Sequence, residues 1–290
     1  MTRNRSFVAA LIVAAAIALA AIAGPLLLAH LTGVTYDRIP DDPAAVRALA
    51  PFTAADGSFS WVHPMGTDDL GRDLLARVLL GGRISLTVGV VSTLVSLIIG
   101  IAYGAIAGFL GGRVDEVMMR AVDVLYALPY MIIVIVLLAL FGTTSAITHL
   151  LLLFATLGAV SWLTTARIVR GQVMSLKQQE FIVAARAMGL GDVAIITRHL
   201  LPNAMGPVVV YATLTVPSVM LLEAFLSFLG LGVQAPLASW GTLAADGVQN
   251  LAVFPWQLLC PGLTMALTLG AFHVIGDGLR DALDPKGSGE

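Results

Sequence analysis

The chain has 290 residues, 58% of them hydrophobic and 12% charged, with a formal net charge of −2 and a mean hydropathy of +0.92. Soluble globular domains keep about a quarter of their residues charged, so that class is excluded and an all-α membrane protein is expected. The single cysteine, Cys260, excludes an intrachain disulfide framework, and no basic excess points to nucleic acid.

A spanning helix needs roughly 20 predominantly apolar residues. Six stretches qualify, about 7–32, 84–109, 125–142, 146–165, 206–230 and 257–278, of which the third is short. The first begins "MTRNRSFVAALIVAAAIALAAIAG", and its basic start, apolar centre and Ala-Ile-Ala before Gly24 have the features of a signal peptide. The apolar run continues through Pro25 to Leu31, so a retained first helix over 1–32 is expected; cleavage would leave five spans.

With the N-terminus in the cytoplasm, eleven basic residues fall inside: Arg3, Arg5, Arg113, Arg120, Arg167, Arg170, Lys177, Arg186, Arg198, Arg280 and Lys286. Arg38, Arg47, Arg72, Arg77 and Arg83 fall outside, all in one acidic loop. The excess of basic residues on one side places both termini in the cytoplasm, with the tail 281–290.

The outer loop 33–83 starts turn-rich and then reads as an amphipathic helix over "MGTDDLGRDLLARVLLGGRISL". Thr67 is the expected cap, Asp68 and Asp69 suit the positive end of the helix dipole, and Gly81-Gly82 is the expected end. Asp68–Arg72 and Asp73–Arg77 are spaced as i,i+4 ion pairs. Two readings stand for this helix, a spacer or a contact for an external partner.

The core, 84–280, holds the remaining five spans. In the second span Ser92, Ser96, Gly100, Gly104, Gly108 and Gly112 recur every four residues, a stripe that lets helix backbones approach closely. It serves either packing within the chain or contact with a sister subunit. Ionisable residues deep in the spans are few: His149, Glu223 and His273, with Asp277 near the inner end. Glu223 is either a protonated or paired structural group or part of a transport pathway. The halves show no inverted repeat, which counts against an ion-coupled secondary transporter. There is no GxxxxGK[ST], HExxH, paired-cysteine or GxSxG motif, and the histidines make no metal spacing. Neither an enzyme nor a metal site is expected.

One segment does not serve membrane crossing. In 180–203, Phe181, Ala184, Ala185 and Met188 make an apolar face, Gly189 is placed for a left-handed helix end, and Asp192 starts a second short helix. Val193, Ile196 and Leu200 share a face of that helix, and Pro202 is expected to stop it. The reading is a helical hairpin on the cytoplasmic side with an apolar face that needs a protein partner.

The spacing Ala184-Ala185, Gly189, Leu201-Pro202 resembles the "EAA" loop of ABC importer permeases, with Val183 in place of the glutamate and His199 in place of an aliphatic residue. "RHLLPN" is similar to the form in dipeptide, oligopeptide and nickel permeases. "GTDDLGRDLLARVLLGGRISL", "MRAVDVLYALP", "EAFLSFLGLGVQAPLASWG" and "GDGLRDALDPK" resemble further blocks of that subfamily, in the same order, over most of 65–286. The chain is identified as a C-type permease of this kind.

The resemblance implies a six-span type I permease fold in the bacterial inner membrane. It implies a sister B-type permease, two ATPase subunits that hold the ATP and magnesium, and an extracytoplasmic substrate-binding protein. This chain would bind no cofactor of its own. Its hairpin would dock on an ATPase through Glu180, Phe181, Ala184, Ala185, Met188, Gly189, Arg198, His199 and Pro202. Asp69, Arg72 and Trp240 are the candidate contacts for the binding protein, and Gly100, Gly104 and Gly108 the candidate packing residues. Peptides are the expected substrate, with nickel complexes, glutathione or another small solute as the alternative.

Overall fold

Long apolar segments in lipid must satisfy their backbone groups internally, and the chain does so with helices. The computed structural model describes residues 5–141 and 145–283, so Arg3, Lys286 and the 284–290 part of the expected tail lie outside it. The elements are α1 (Arg5–Thr32), α2 (Pro43–Val46), α3 (Leu74–Leu110), α4 (Gly112–Ala127), α5 (Tyr130–Leu140), α6 (Ala146–Leu176), α7 (Glu180–Ala187), α8 (Asp192–Ile195), a π turn (Ile196–Leu200), α9 (Leu201–Phe228), α10 (Trp240–Gln249) and α11 (Trp256–Leu283). Among the described residues no strand forms; two isolated bridges, Thr53 with Phe59 and Thr67 with Asp73, shape the loop before α3.

Five of the helices are long and apolar enough to cross a membrane: α1, α3, α6, the run Asp192–Phe228, and α11. The expected third span is different. It is a bent pair, α4 and α5, turned by 82° at a break between them. Leu128 precedes Pro129 and is extended, with φ −78 and ψ 137, as a pre-proline residue must be to avoid the ring. The apolar α5 has 11 residues, about 17 Å of helix at 1.5 Å each, well short of a hydrocarbon core about 30 Å thick.

Packing divides the chain into two units. The first takes the described parts of Met1–Gly89, Thr143–Leu153 and Pro217–Ile275; the second takes those of Val90–Gly142, Phe154–Val216 and Gly276–Glu290. The boundaries fall inside α3, α6, α9 and α11.

In the second unit the stripe of small residues on α3 lies against α6. A Cβ at Gly100 would stand 2.5 Å from Thr165 Cβ, one at Gly104 2.9 Å from Val169 Cβ, and one at Gly108 2.8 Å from the Arg170 carbonyl oxygen. Ser92 Oγ donates to the Phe154 carbonyl at 3.3 Å, and Ser96 and Thr165 hydroxyls are 3.2 Å apart. The stripe therefore serves intrachain packing from Ser92 to Gly108. Gly112, expected to continue it, has open space where a side chain would stand. Charged clamps hold α4 to α6: Arg170 grips Asp115 with two hydrogen bonds of 2.5 and 2.6 Å, and Arg167 pairs with Asp123 at 2.7 Å while its guanidinium stacks 4.2 Å from the Tyr126 ring.

The first unit revises the reading of 65–83. Residues 67–73 are a turn, with φ +73 at Gly71, and α3 starts only at Leu74. Asp73 rather than Thr67 caps it, its Oδ1 accepting from Ala76 N at 2.7 Å. Thr67 instead ties the loop, its hydroxyl donating to the Val46 carbonyl and accepting from Leu49 N. Gly81-Gly82 does not end a helix. A Cβ at Gly82 would stand 2.6 Å from Cζ2 of Trp240 and one at Gly81 3.2 Å from the Ser239 carbonyl carbon, so Gly82 seats the indole and Gly81 admits the start of α10. Within 65–83 no helix separate from α3 forms, and α3 is a single helix of 37 residues.

Candidate functional site

The hairpin belongs to the second unit. Glu180 lies in the first turn of α7, where a negative charge suits the helix dipole. The helix ends at Gly189 with φ +81, a left-handed conformation that a side chain resists. Gly189 N donates to the Arg186 carbonyl at 2.9 Å and Leu190 N to that of Ala185 at 3.2 Å, the paired bonds of a Schellman end. Leu190 then packs against the same apolar cluster that buries Ala185.

That cluster contains Ala105 and Phe109 of α3, Val169 and Val173 of α6, Ile182 and Ala185 of α7, and Ile195, Leu200 and Val208. Burying a side chain the size of Ile or Leu contributes about 1.5–3 kcal/mol, so Ile182, Ile195 and Leu200 fix the hairpin to the body. Lys177 Nζ donates to the Phe109 carbonyl, and the Arg186 guanidinium lies 5.4 Å from the Phe109 ring centre.

Here the expected faces are corrected. Ala185 is 1% exposed and turned into the chain's own core, whereas Phe181, Ala184 and Met188, placed on the same face by the sequence, are exposed. In the second helix Ile195 and Leu200 are buried, while Val193 is 75% exposed. Pro202 does not stop a helix. The π turn before it, closed by Leu201 N on the Ile196 carbonyl, carries the helix on into α9. Arg198 and Pro202 are exposed, and the half-buried His199 lends its carbonyl to Asn203 Nδ2 at 2.6 Å. Phe181, Val183, Met188 and Val193 thus form an uncovered apolar side on a hairpin whose other side is locked. Ile182 and Ile195, the anchors of the locked side, were not singled out from the sequence; their apolar character was visible there, but the phase that aligns them was not.

The first unit contains a polar cluster. Asp68 is 8% exposed and accepts four hydrogen bonds: at Oδ1 from Leu70 N and Arg72 N, both 2.9 Å, and at Oδ2 from Arg72 Nε at 2.8 Å and Arg77 Nη1 at 2.6 Å. The expected Asp73–Arg77 pair does not form, because Asp73 Oδ2 meets His63 Nδ1 at 2.8 Å. Asp69 takes Asn250 Nδ2 at 2.6 Å and Gln257 Nε2 at 3.3 Å. Asp246 lies near both arginines; partial desolvation pushes its carboxyl up, against the pull of Arg77 and Arg72, and Asp68 and Asp69 push it further up.

Trp240, a candidate partner contact, is 1% exposed and is corrected to a core residue. Its Nε1 donates to the Val78 carbonyl at 2.9 Å and its backbone N to Ser85 Oγ at 3.0 Å. Asp69 and Arg72 remain partly accessible. Glu223 is fully buried, and its Oε1 accepts from Ser227 Oγ at 2.8 Å and Ser239 Oγ at 2.7 Å. Ser239 also caps α10, accepting from Thr242 N at 3.1 Å, so Glu223 holds the start of that helix. Among the described residues Glu223 Oε2 has no partner, and no cluster of potential metal ligands forms.

Comparison with known proteins supplies the context. Residues 100–288 match the family described as binding-protein-dependent transport system inner membrane component. The chain is 50% identical over 283 residues to the oligopeptide transport system permease protein OppC of Escherichia coli K12, covering 98% of this chain and 88% of that protein. It is 47% identical over 232 residues to OppC of Bacillus subtilis, covering 80% and 74%. It is 48% identical over 225 residues to the dipeptide transport system permease protein DppC of the same organism, covering 77% and 69%.

Proposed function

Since this chain belongs to the family of binding-protein-dependent transport system inner membrane components, we propose that it is one permease subunit of an ATP-driven importer of di- and oligopeptides. The names of its relatives support peptides over nickel complexes or glutathione. A sister permease completes the pathway, a substrate-binding protein delivers the cargo, and two ATPase subunits hold ATP and magnesium and perform the chemistry. No catalysis is assigned to this chain.

The observation that carries the coupling role is the two-sided hairpin. Its inner side, Ile182, Ala185, Ile195 and Leu200, makes it move with the helices it packs on. Its outer side, Phe181, Val183, Met188 and Val193, is apolar and uncovered, which in water calls for a protein partner. Closure of the ATPases on ATP would pull on that side and move α6 and α9 with it. Arg198, His199 and Glu180 supply polar groups beside it.

The test is Phe181→Glu with Met188→Glu, expressed with all partners. A charge buried in an apolar contact without a counter-ion is costly. The double variant should insert normally, lose co-purifying ATPase and lose uptake of labelled tripeptide. Retention of both would end the coupling proposal, and absence of peptide uptake by the unaltered complex would end the substrate proposal. The orientation, with both termini and 166–203 cytoplasmic and 33–83 and 231–256 outside, is tested by single cysteines at Ser58 and Ser175 in a Cys260→Ala background. An impermeant thiol reagent on intact cells should label only Ser58→Cys.

A further inference from the structure

We propose that a cavity of about 260 Å³ in the first unit binds the carboxylate end of a peptide, with Arg72 and Arg77 taking the carboxylate and Asp246 the neighbouring amide N–H. The inference rests on the peptide reading above and adds a site to it. The cavity is lined by Arg72, Arg77, Ser227, Gln234, Thr242 and Asp246 among others. Arg77 is only 7% exposed, yet among the described residues its side chain makes one hydrogen bond, through Nη1; Arg72 makes one, through Nε. Both go to Asp68 Oδ2, so the two guanidinium groups are drawn to one point. The carboxylate of Asp68 already accepts four bonds, which fills its acceptor capacity. Two cations therefore share one satisfied anion, and both line the cavity with guanidinium donors left over.

On the same cavity Asp246 makes no hydrogen bond or ion pair among the described residues, although it feels the charge of both arginines. Unused cationic donors and an unused carboxylate thus line one polar cavity without touching. A ligand that spans them must present an acceptor pair and, a short way off, a donor. The last residue of a peptide does this, with its carboxylate and its own amide N–H separated by a single Cα. Guanidinium groups suit the carboxylate because they can offer two parallel N–H bonds. The volume is below the roughly 300–1,000 Å³ of drug-sized sites, which fits one terminal residue with the rest of the chain emerging.

The test uses the complete importer in lipid nanodiscs without its binding protein, with radiolabelled trialanine and its C-terminal amide as probes in equilibrium dialysis. Trialanine should bind, and the amide should bind at least about tenfold more weakly. Arg72→Gln should remove that preference, and Asp246→Ala should weaken trialanine severalfold with an unchanged melting temperature. No trialanine binding at millimolar concentration, or equal binding of acid and amide by the unaltered complex, would overturn the site. So would an Arg72→Gln variant that loses docking of the binding protein but keeps trialanine, because the cavity would then serve that protein. If the same complex with its binding protein imports tripeptide while these preferences are absent, this site fails and the transport reading stands; if it imports none, both fall.

Discussion

In the turn before α3 one carboxylate, Asp68, is held by four directed hydrogen bonds, and within α9 another, Glu223, is held by two hydroxyl groups, one of them from Ser239, the cap of α10. The hairpin of the second unit is seated differently, by Ile182, Ala185, Ile195 and Leu200 in an apolar cluster beside a stripe of glycines. Directed bonds specify one arrangement and are costly to break when buried. Apolar contact is non-directional and draws its strength from the area removed from water. The acidic anchors of the first unit are thus fixed by directed bonds, and the hairpin of the second by apolar packing.

The strongest way to break this contrast is Trp240→Ala. It removes a buried indole from its glycine seat and leaves the Val78 carbonyl without its donor, a loss of about 3–5 kcal/mol. The melting temperature of the purified complex should fall sharply, and a marginal change would mean that the first unit is not rigidly specified. Next, Gly104→Leu should cost about 1–3 kcal/mol by forcing α3 from α6, read as lost efficiency of a disulfide engineered between these helices. Gly189→Val places a β-branched side chain at φ +81 and should cost about 1–2 kcal/mol. Hydrogen exchange should rise across 185–190 and not in α10; a rise in both would show the units to be less distinct than drawn here. The smallest effect belongs to Glu223→Gln, at about 1 kcal/mol or less, because the amide oxygen still accepts from Ser227 and Ser239. Assembly should survive, and its loss would show that the carboxyl group itself is required.

The apolar runs and the left-handed end at Gly189 were legible because each depends on local chemistry: length in lipid, and a φ that only glycine adopts freely. The Ser92–Gly108 stripe was also legible, but its partner, α6, was not, since spacing alone does not name the opposing helix. Gly81-Gly82 misled for a related reason. Two glycines weaken a helix, yet here the start of α10, about 160 positions away, fills the space they leave. Asp68 reads from the sequence as a helix N-terminal acid, and only the two arginines brought onto Oδ2 show it to be the hub of a turn. Ala185 was placed on the partner's face because Phe181, Ala184 and Met188 make one acceptable apolar stripe and Ile182 with Ala185 another. The cavity of Arg72, Arg77 and Asp246 combines residues too far apart in sequence for any motif to join.

The π turn at Ile196–Leu200 has a consequence best put as helical phase. Each residue of an α-helix advances about 100°, so positions five apart point about 140° away from each other. Ile195 and Leu200 are five apart and are both fully buried in the same cluster. The wider turn, with its i to i+5 bond, lets both stay buried at that spacing. The helix therefore carries one residue more than a regular α turn would need, just where the hairpin runs into α9. Deleting a single residue within 196–199 would barely change composition or hydropathy and would set Ile195 and the present Leu200 four apart, about 40° in phase on a regular α turn, so both should stay on the core side while the i to i+5 bond is lost.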